Sequence, residues 1–172
     1  IEALSTGEMI LTRANGPQPI RWIGKATMRA HGAFAPVVIG AGVLGNLHDL
    51  VVSPHHRVFL YQRGERRLGP TAEILVQAKH LVDGDRVTIR EGGFVDYFSL
   101  VFDRHEVIYA EGIPAESLMV TESTLTALPE AIATELRAAF PGLRHSPHYG
   151  TEIDRRTIET AGRDHLFRKP RS

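Results

Sequence analysis

Over its first 122 residues this chain keeps breaking its own apolar runs, and that limits what it can build. Met9 to Thr12 is followed at once by Asn15, Gly16 and Pro17, a turn. Pro19 to Ile23 reaches Gly24, and Val37 to Ile39 leads into a glycine-rich loop from Gly40 to Asn46. Leu50 to Val52 and Arg57 to Tyr61 flank a polar turn, and Val87 to Ile89 runs to Gly92 and Gly93. Tyr97 to Phe102 and Val107 to Tyr109 lie on either side of Asp103, Arg104 and His105. Runs this short, rich in β-branched and aromatic residues and punctuated by Gly, Pro, Asn and Asp, read as strands. Their number and spacing predict an all-β sandwich or barrel rather than a parallel βαβ sheet.

A faint internal repeat sharpens this. Residues 3–13 resemble residues 79–90: each segment reaches a Gly-acid pair, Gly7-Glu8 or Gly84-Asp85, and then enters a strand. The glycine permits a turn with positive φ, and an acid can hold the turn's amides. Two such turns predict a pseudo-twofold architecture. Gly40 to Gly45 carries the spacing of a dinucleotide-binding loop, but a strand rather than a helix follows, so it reads as a flexible loop without that function.

From about residue 123 the pattern changes, which divides the chain into a β domain over 1–122 and a helical extension over 123–172. Ile132, Leu136 and Phe140 fall on one helical stripe, with Thr126 as the expected cap and Pro141-Gly142 as the stop. Thr151 to Asp154 reads as a variant capping box for a second helix ending near Gly162. The basic end, Arg168 to Ser172, reads as frayed and solvated.

Lys plus Arg and Asp plus Glu both number 20, so the net charge is zero, which argues against non-specific binding to nucleic acid or to an anionic membrane. No apolar run approaches a membrane span. The absence of cysteine excludes disulfides and thiolate metal sites. The first residue is isoleucine, which predicts a piece of a longer protein.

Chemistry concentrates at Ser53-Pro54-His55-His56, where a buried strand delivers a hydroxyl and an imidazole three residues apart to one turn. An imidazole can take up a proton and return it to a departing amine, and a nearby hydroxyl can orient an amide. The same letters also suit a serine that closes a turn and a histidine packed on the sheet. His55 and His56 are adjacent and should face opposite ways; with His48 and Asp49 nearby a metal site is conceivable, though no helical His pair supports one. Asp103 and His105 would share a face if their segment were a regular strand, letting a carboxylate orient an imidazole; a surface ion pair with Arg104 or Glu106 is the rival. His31, His80, His145, His148 and His165 read as surface or satisfied histidines.

Together these segments resemble the Hint module of hedgehog and intein proteins, specifically its bacterial branch. The resemblance runs through Ile1 to Thr12, Gly16 to Gly24, Leu50 to Leu60, Ala78 to Asp85 and Phe102 to Ser117. It implies an all-β, pseudo-twofold, horseshoe-like fold and autoproteolytic self-processing: a nucleophile at the module's first position attacks the preceding carbonyl in an acyl shift. The family's Thr-x-x-His motif falls on Ser53 and His56, which implies that His56 protonates the departing amide nitrogen and Ser53 positions the scissile peptide. Its later motif falls on Asp103 and His105 as assisting groups. The resemblance implies no cofactor and no metal. The partners it implies are the flanking segments of the parent chain and an acceptor nucleophile, within a protein that is secreted.

Two departures qualify it. The family's opening strand and its Cys or Ser nucleophile should precede Ile1, so the chain as given is expected to be inert. Inteins end in His-Asn where this chain has Glu116-Ser117, which argues for amino-terminal cleavage rather than splicing. The rivals are a degenerate β module that binds or spaces, and a histidine-based metallohydrolase.

Overall fold

A computed structural model describes residues 1–62, 67–146 and 151–168. His148 and the end of the basic tail, residues 169–172, lie outside them. The strands are β1 (Met9–Thr12), β2 (Gly16–Pro19), β3 (Trp22–Arg29), β4 (Val37–Ile39), β5 (Leu50–Val52), β6 (Arg57–Tyr61), β7 (Glu73–Gln77), β8 (Val87–Ile89), β9 (Phe94–Val101), β10 (Val107–Ala110) and β11 (Ile113–Glu116). Two helices follow, α1 (Glu122–Ala127) and α2 (Glu130–Ala139), then β12 (Thr151–Glu152) and α3 (Arg155–Ala161). The fold is all-β with a short helical carboxy-terminal part.

The pairings carry the twofold relation. β3 and β9 pair antiparallel along their whole length, from Trp22 opposite Val101 to Arg29 opposite Phe94. On either side the halves exchange strands: β1 of the first pairs with β10 of the second, and β8 of the second pairs with β4 of the first. β4 with β5 and β10 with β11 are corresponding antiparallel neighbours. The repeat seen in the sequence marks the entry to β1 and β8. Gly7 and Gly84 both have positive φ, 90° and 83°. In the first turn Glu8 accepts from the Ser5 amide. In the second the acid is Asp83, before the glycine rather than after it, accepting from Asp85, Arg86 and Val87.

Seven strands form the largest sheet, in the order β12-β7-β6-β11-β10-β1-β2, and β5-β4-β8 form another. The largest buried cluster joins these two: Val37 and Ile39 pack with Val58, Leu60, Ile74 and Val76. The helices close two flanks. Leu125, Ala133 and Leu136 cover Trp22, Val101 and Val120, and the Trp22 indole donates to Glu135 at 2.9 Å. Ile153, Ile158 and Phe167 complete the main cluster. Among the described residues no helix is long and apolar enough to cross a membrane.

Several local expectations differ. Gly24 does not end a run; it lies inside β3, where the Trp22 ring crosses its bare Cα. Thr126 caps nothing, because α1 occupies that segment and Pro129 precedes α2. Thr121 is the cap of α1, in a reciprocal box with Thr124. Thr151 is in a strand parallel to β7, and the cap of α3 is Asp154, which accepts from the Thr157 amide at 2.8 Å. The Gly40–Asn46 loop is stapled, since the buried Asn46 side chain donates to the carbonyls of Ile39, Gly40 and His48 and accepts from Leu44.

Candidate functional site

The turn between β5 and β6 is built by its own residues. Pro54 supplies the φ that the second position of a turn needs, and the His56 amide donates back to the Ser53 carbonyl at 3.1 Å. The segment after β7 clamps it: Ala78 donates to the His56 carbonyl and Lys79 to that of Pro54, each at 2.9 Å. His55 and His56 do face opposite ways. His55 is exposed and meets Gln77 and Lys79 at 3.3 Å. The His56 ring turns inward, its Nε2 buried and without a hydrogen-bond partner among the described residues. Burial pushes its pKa down to about 4; a hydrogen bond with the Glu116 backbone opposes this, and the Arg57 charge adds to it. Ser53 is half-buried at the mouth of the turn.

Asp103 and His105 do not share a strand face, because residues 103–106 form the bend between β9 and β10. Asp103 is exposed and paired with Arg21 at 3.0 Å, neither with Arg104 nor with Glu106. His105 is buried. Its Nε2 lies 3.2 Å from the Ser117 carbonyl and 3.8 Å from Glu116 Oε1. Its ring stacks on that of His145, with centroids 6.2 Å apart and planes 11° from parallel. His145 is a satisfied histidine: Nδ1 accepts from the Val120 amide and Nε2 faces the Phe102 carbonyl, each at 3.0 Å. Burial lowers its pKa too.

The two motifs meet at the end of β11, a place the sequence reading passed over except as a departure from the intein ending. The Glu116 backbone acts on the His56 ring, raising its pKa against the effect of burial, and His105 bonds the Ser117 backbone. The Glu116 side chain, 8% exposed, is held by Arg57 at 2.6 Å, and burial raises its pKa. The Ser117 hydroxyl accepts from the Glu106 amide at 2.9 Å, and Asn15 donates to both carboxylate oxygens of the buried Glu106. The only sequence signal for this polar knot was a strand ending in two adjacent polar residues. On its outer side His105 and Asp103 line an open cleft of about 300 Å³ with Asn15, Arg104 and the segment Arg144 to Ser146. Ser53 and His56 do not line it.

His48 pairs with Glu111 at 2.9 Å and Asp49 accepts from the Ala41 amide. No group of three or more His, Asp or Glu among the described residues is placed to hold an ion.

No curated protein and no solved structure matches the chain. The family model for the Hint domain matches it over residues 1–122, the stretch that holds both motifs and all the strands that carry the twofold relation. A match over more than half its length places the chain: it belongs to the Hint-domain family.

Proposed function

We propose that this chain is the self-processing module of a larger protein, with residues 1–122 as the Hint unit and 123–172 as a helical extension packed on it. The nucleophile in this reading is a Cys or Ser of the parent protein just upstream of Ile1. Its proton passes to His56 Nε2 as its sulfur or oxygen attacks the preceding carbonyl carbon. The amide C–N bond then breaks, His56 returns the proton to the departing nitrogen, and a thioester or ester remains for an acceptor to cleave. Ser53 positions the scissile peptide, and Asp103 and His105 assist from the other side of the site.

The observation that carries this reading is the His56 ring, held neutral by burial, with a buried Nε2 that has no hydrogen-bond partner among the described residues. A buried polar atom without a partner is costly, and a site that tolerates one reserves it for a group that arrives later. Its low proton affinity also makes the transient imidazolium a strong acid, which protonating an amide nitrogen requires.

The test uses the parent chain extended upstream of Ile1, its intact mass followed over time beside a His56→Ala version. A break near the start of the module that disappears in the variant supports the reading. A chain that stays whole in both, even with dithiothreitol or hydroxylamine present as acceptor, sinks it and leaves a Hint module that only binds or spaces.

A further inference from the structure

A carboxylate partner for His105 was expected at Asp103, two residues away. The fold gives Asp103 to Arg21 at the surface and brings a different acid to the ring. Glu116 Oε1 is buried, accepts no hydrogen bond among the described residues, and lies 3.8 Å from His105 Nε2. That separation is too long for a hydrogen bond and short enough for an ion pair.

We propose that Glu116, not Asp103, is the carboxylate that positions His105 and holds the charge the ring takes up, so that His56, His105 and Glu116 form one acid–base centre. This rests on the reading of His105 as an assisting group of the self-processing reaction. Glu116 acts through His105 and exchanges no proton itself.

The charges around Glu116 favour that role. Arg57 is shared, its Nε on Glu116 at 2.6 Å and its Nη1 on Glu152 at 3.2 Å. One guanidinium faces two carboxylates, so the group carries one negative charge more than it balances. Gln77, which donates to Glu152 at 2.9 Å, adds no charge. The titratable groups facing Glu116 are His56 from the turn before β6, Arg57 on β6, Glu152 on β12 and His105 from the bend before β10. Of these, burial holds His56 neutral, and His105 has its ring nitrogen pointed at the idle oxygen, placed to supply the missing cation. The Ser117 carbonyl, the acceptor facing Nε2, also sets the tautomer: Nε2 carries the proton, and Nδ1 is the atom that takes up a second one.

The experiment is nitrogen-detected NMR of the histidine rings in the 172-residue chain, titrated in the wild type and in the Glu116→Gln and Asp103→Asn variants. It needs no cleavage, so it stands or falls apart from the self-processing assay. The expected results are an Nε2-protonated His105 in the wild type, and a His105 midpoint lowered by about one pH unit or more, a tenfold loss of proton affinity, in Glu116→Gln. Asp103→Asn should leave that midpoint in place. Should Glu116→Gln fail to fold, Glu116→Asp, which keeps the charge and withdraws it by one methylene, should give a smaller fall in the same direction. An Nδ1-protonated ring in the wild type, a midpoint that ignores both Glu116 variants, or a larger response to Asp103→Asn overturns the proposal.

Discussion

The state of His56 makes the protein's stability depend on pH in a window where most side chains are silent. In the unfolded chain the ring titrates at 6.5, and in the folded protein burial holds it at about 4. Between those values the unfolded chain binds a proton that the native state refuses, so stability falls as pH falls. From pH 7 to pH 5 the difference amounts to about 2 kcal/mol, approaching a ceiling of about 3 kcal/mol by pH 4. His145 and His80, also lowered by burial, push the same way. Glu116 opposes them, because its raised pKa lets the native state take up a proton at higher pH than the unfolded chain does. Asp83 and Asp154, held low by backbone hydrogen bonds, lose their contribution only below about pH 4, outside the window. Urea unfolding at closely spaced pH values, for the wild type and for His56→Gln, isolates the ring. Whatever the variant's starting stability, its loss of stability between pH 7 and 5 should be smaller by the His56 share of about 2 kcal/mol. An identical slope in both proteins would show that the folded ring is freely protonated and that its Nε2 is not withheld from solvent.

Two further substitutions probe the frame that holds the site. In Gly24→Ala the new Cβ would lie 1.9 Å from the Trp22 ring, so the indole must leave Glu135 and the helical cover; a cost of about 1–3 kcal/mol and a red-shifted emission from the sole tryptophan are expected, and unchanged stability and spectrum would refute it. Asn46→Ala removes four hydrogen bonds and strands the buried Leu44 amide, so chemical unfolding should register a loss of about 2–4 kcal/mol with faster amide exchange across residues 40–46; a loss under about 0.5 kcal/mol would mean the loop does not depend on its staple.

Local patterns carried the strands and the geometry of one turn of the candidate site. The turn at Ser53 to His56 was legible because two apolar runs flank a Pro that can only sit at its second position, and the inward and outward histidines follow from the chain's alternation. What failed were readings that needed a distant partner. Asp103 and His105 share a face only in a regular strand, and their segment is a bend whose acid is drawn off by Arg21. Thr151 has the spacing of a cap, but β7 recruits it into a parallel ladder, and the cap moves to Asp154. α1 has six residues and no repeating apolar stripe, so no periodicity could announce it. The glycine-rich loop looked flexible because glycine frees the backbone, whereas one buried amide side chain outside the glycines fixes it.

The position of Glu116 shows why the centre of the site is invisible locally yet strongly determined. β11 is paired on both sides, Ala115 opposite Val58 on β6 and Glu116 opposite Val107 on β10. Continuing these antiparallel registers sets Arg57 across from Glu116, and then His56 and Glu106 on either side of Ser117. The observed bonds follow that order: Arg57 donates to Glu116, and the Glu106 amide donates to the Ser117 hydroxyl. A slip of one residue in either ladder would turn Glu116 to the opposite face of the sheet and Ala115 toward the histidines, trading a paired carboxylate for a buried charge without a cation. The apolar residues of β11, Ile113 and Ala115, would leave the main core in the same movement. Burial of the strand and assembly of the acid–base centre are therefore enforced by one register, and that register is fixed where a strand from each half of the molecule flanks β11.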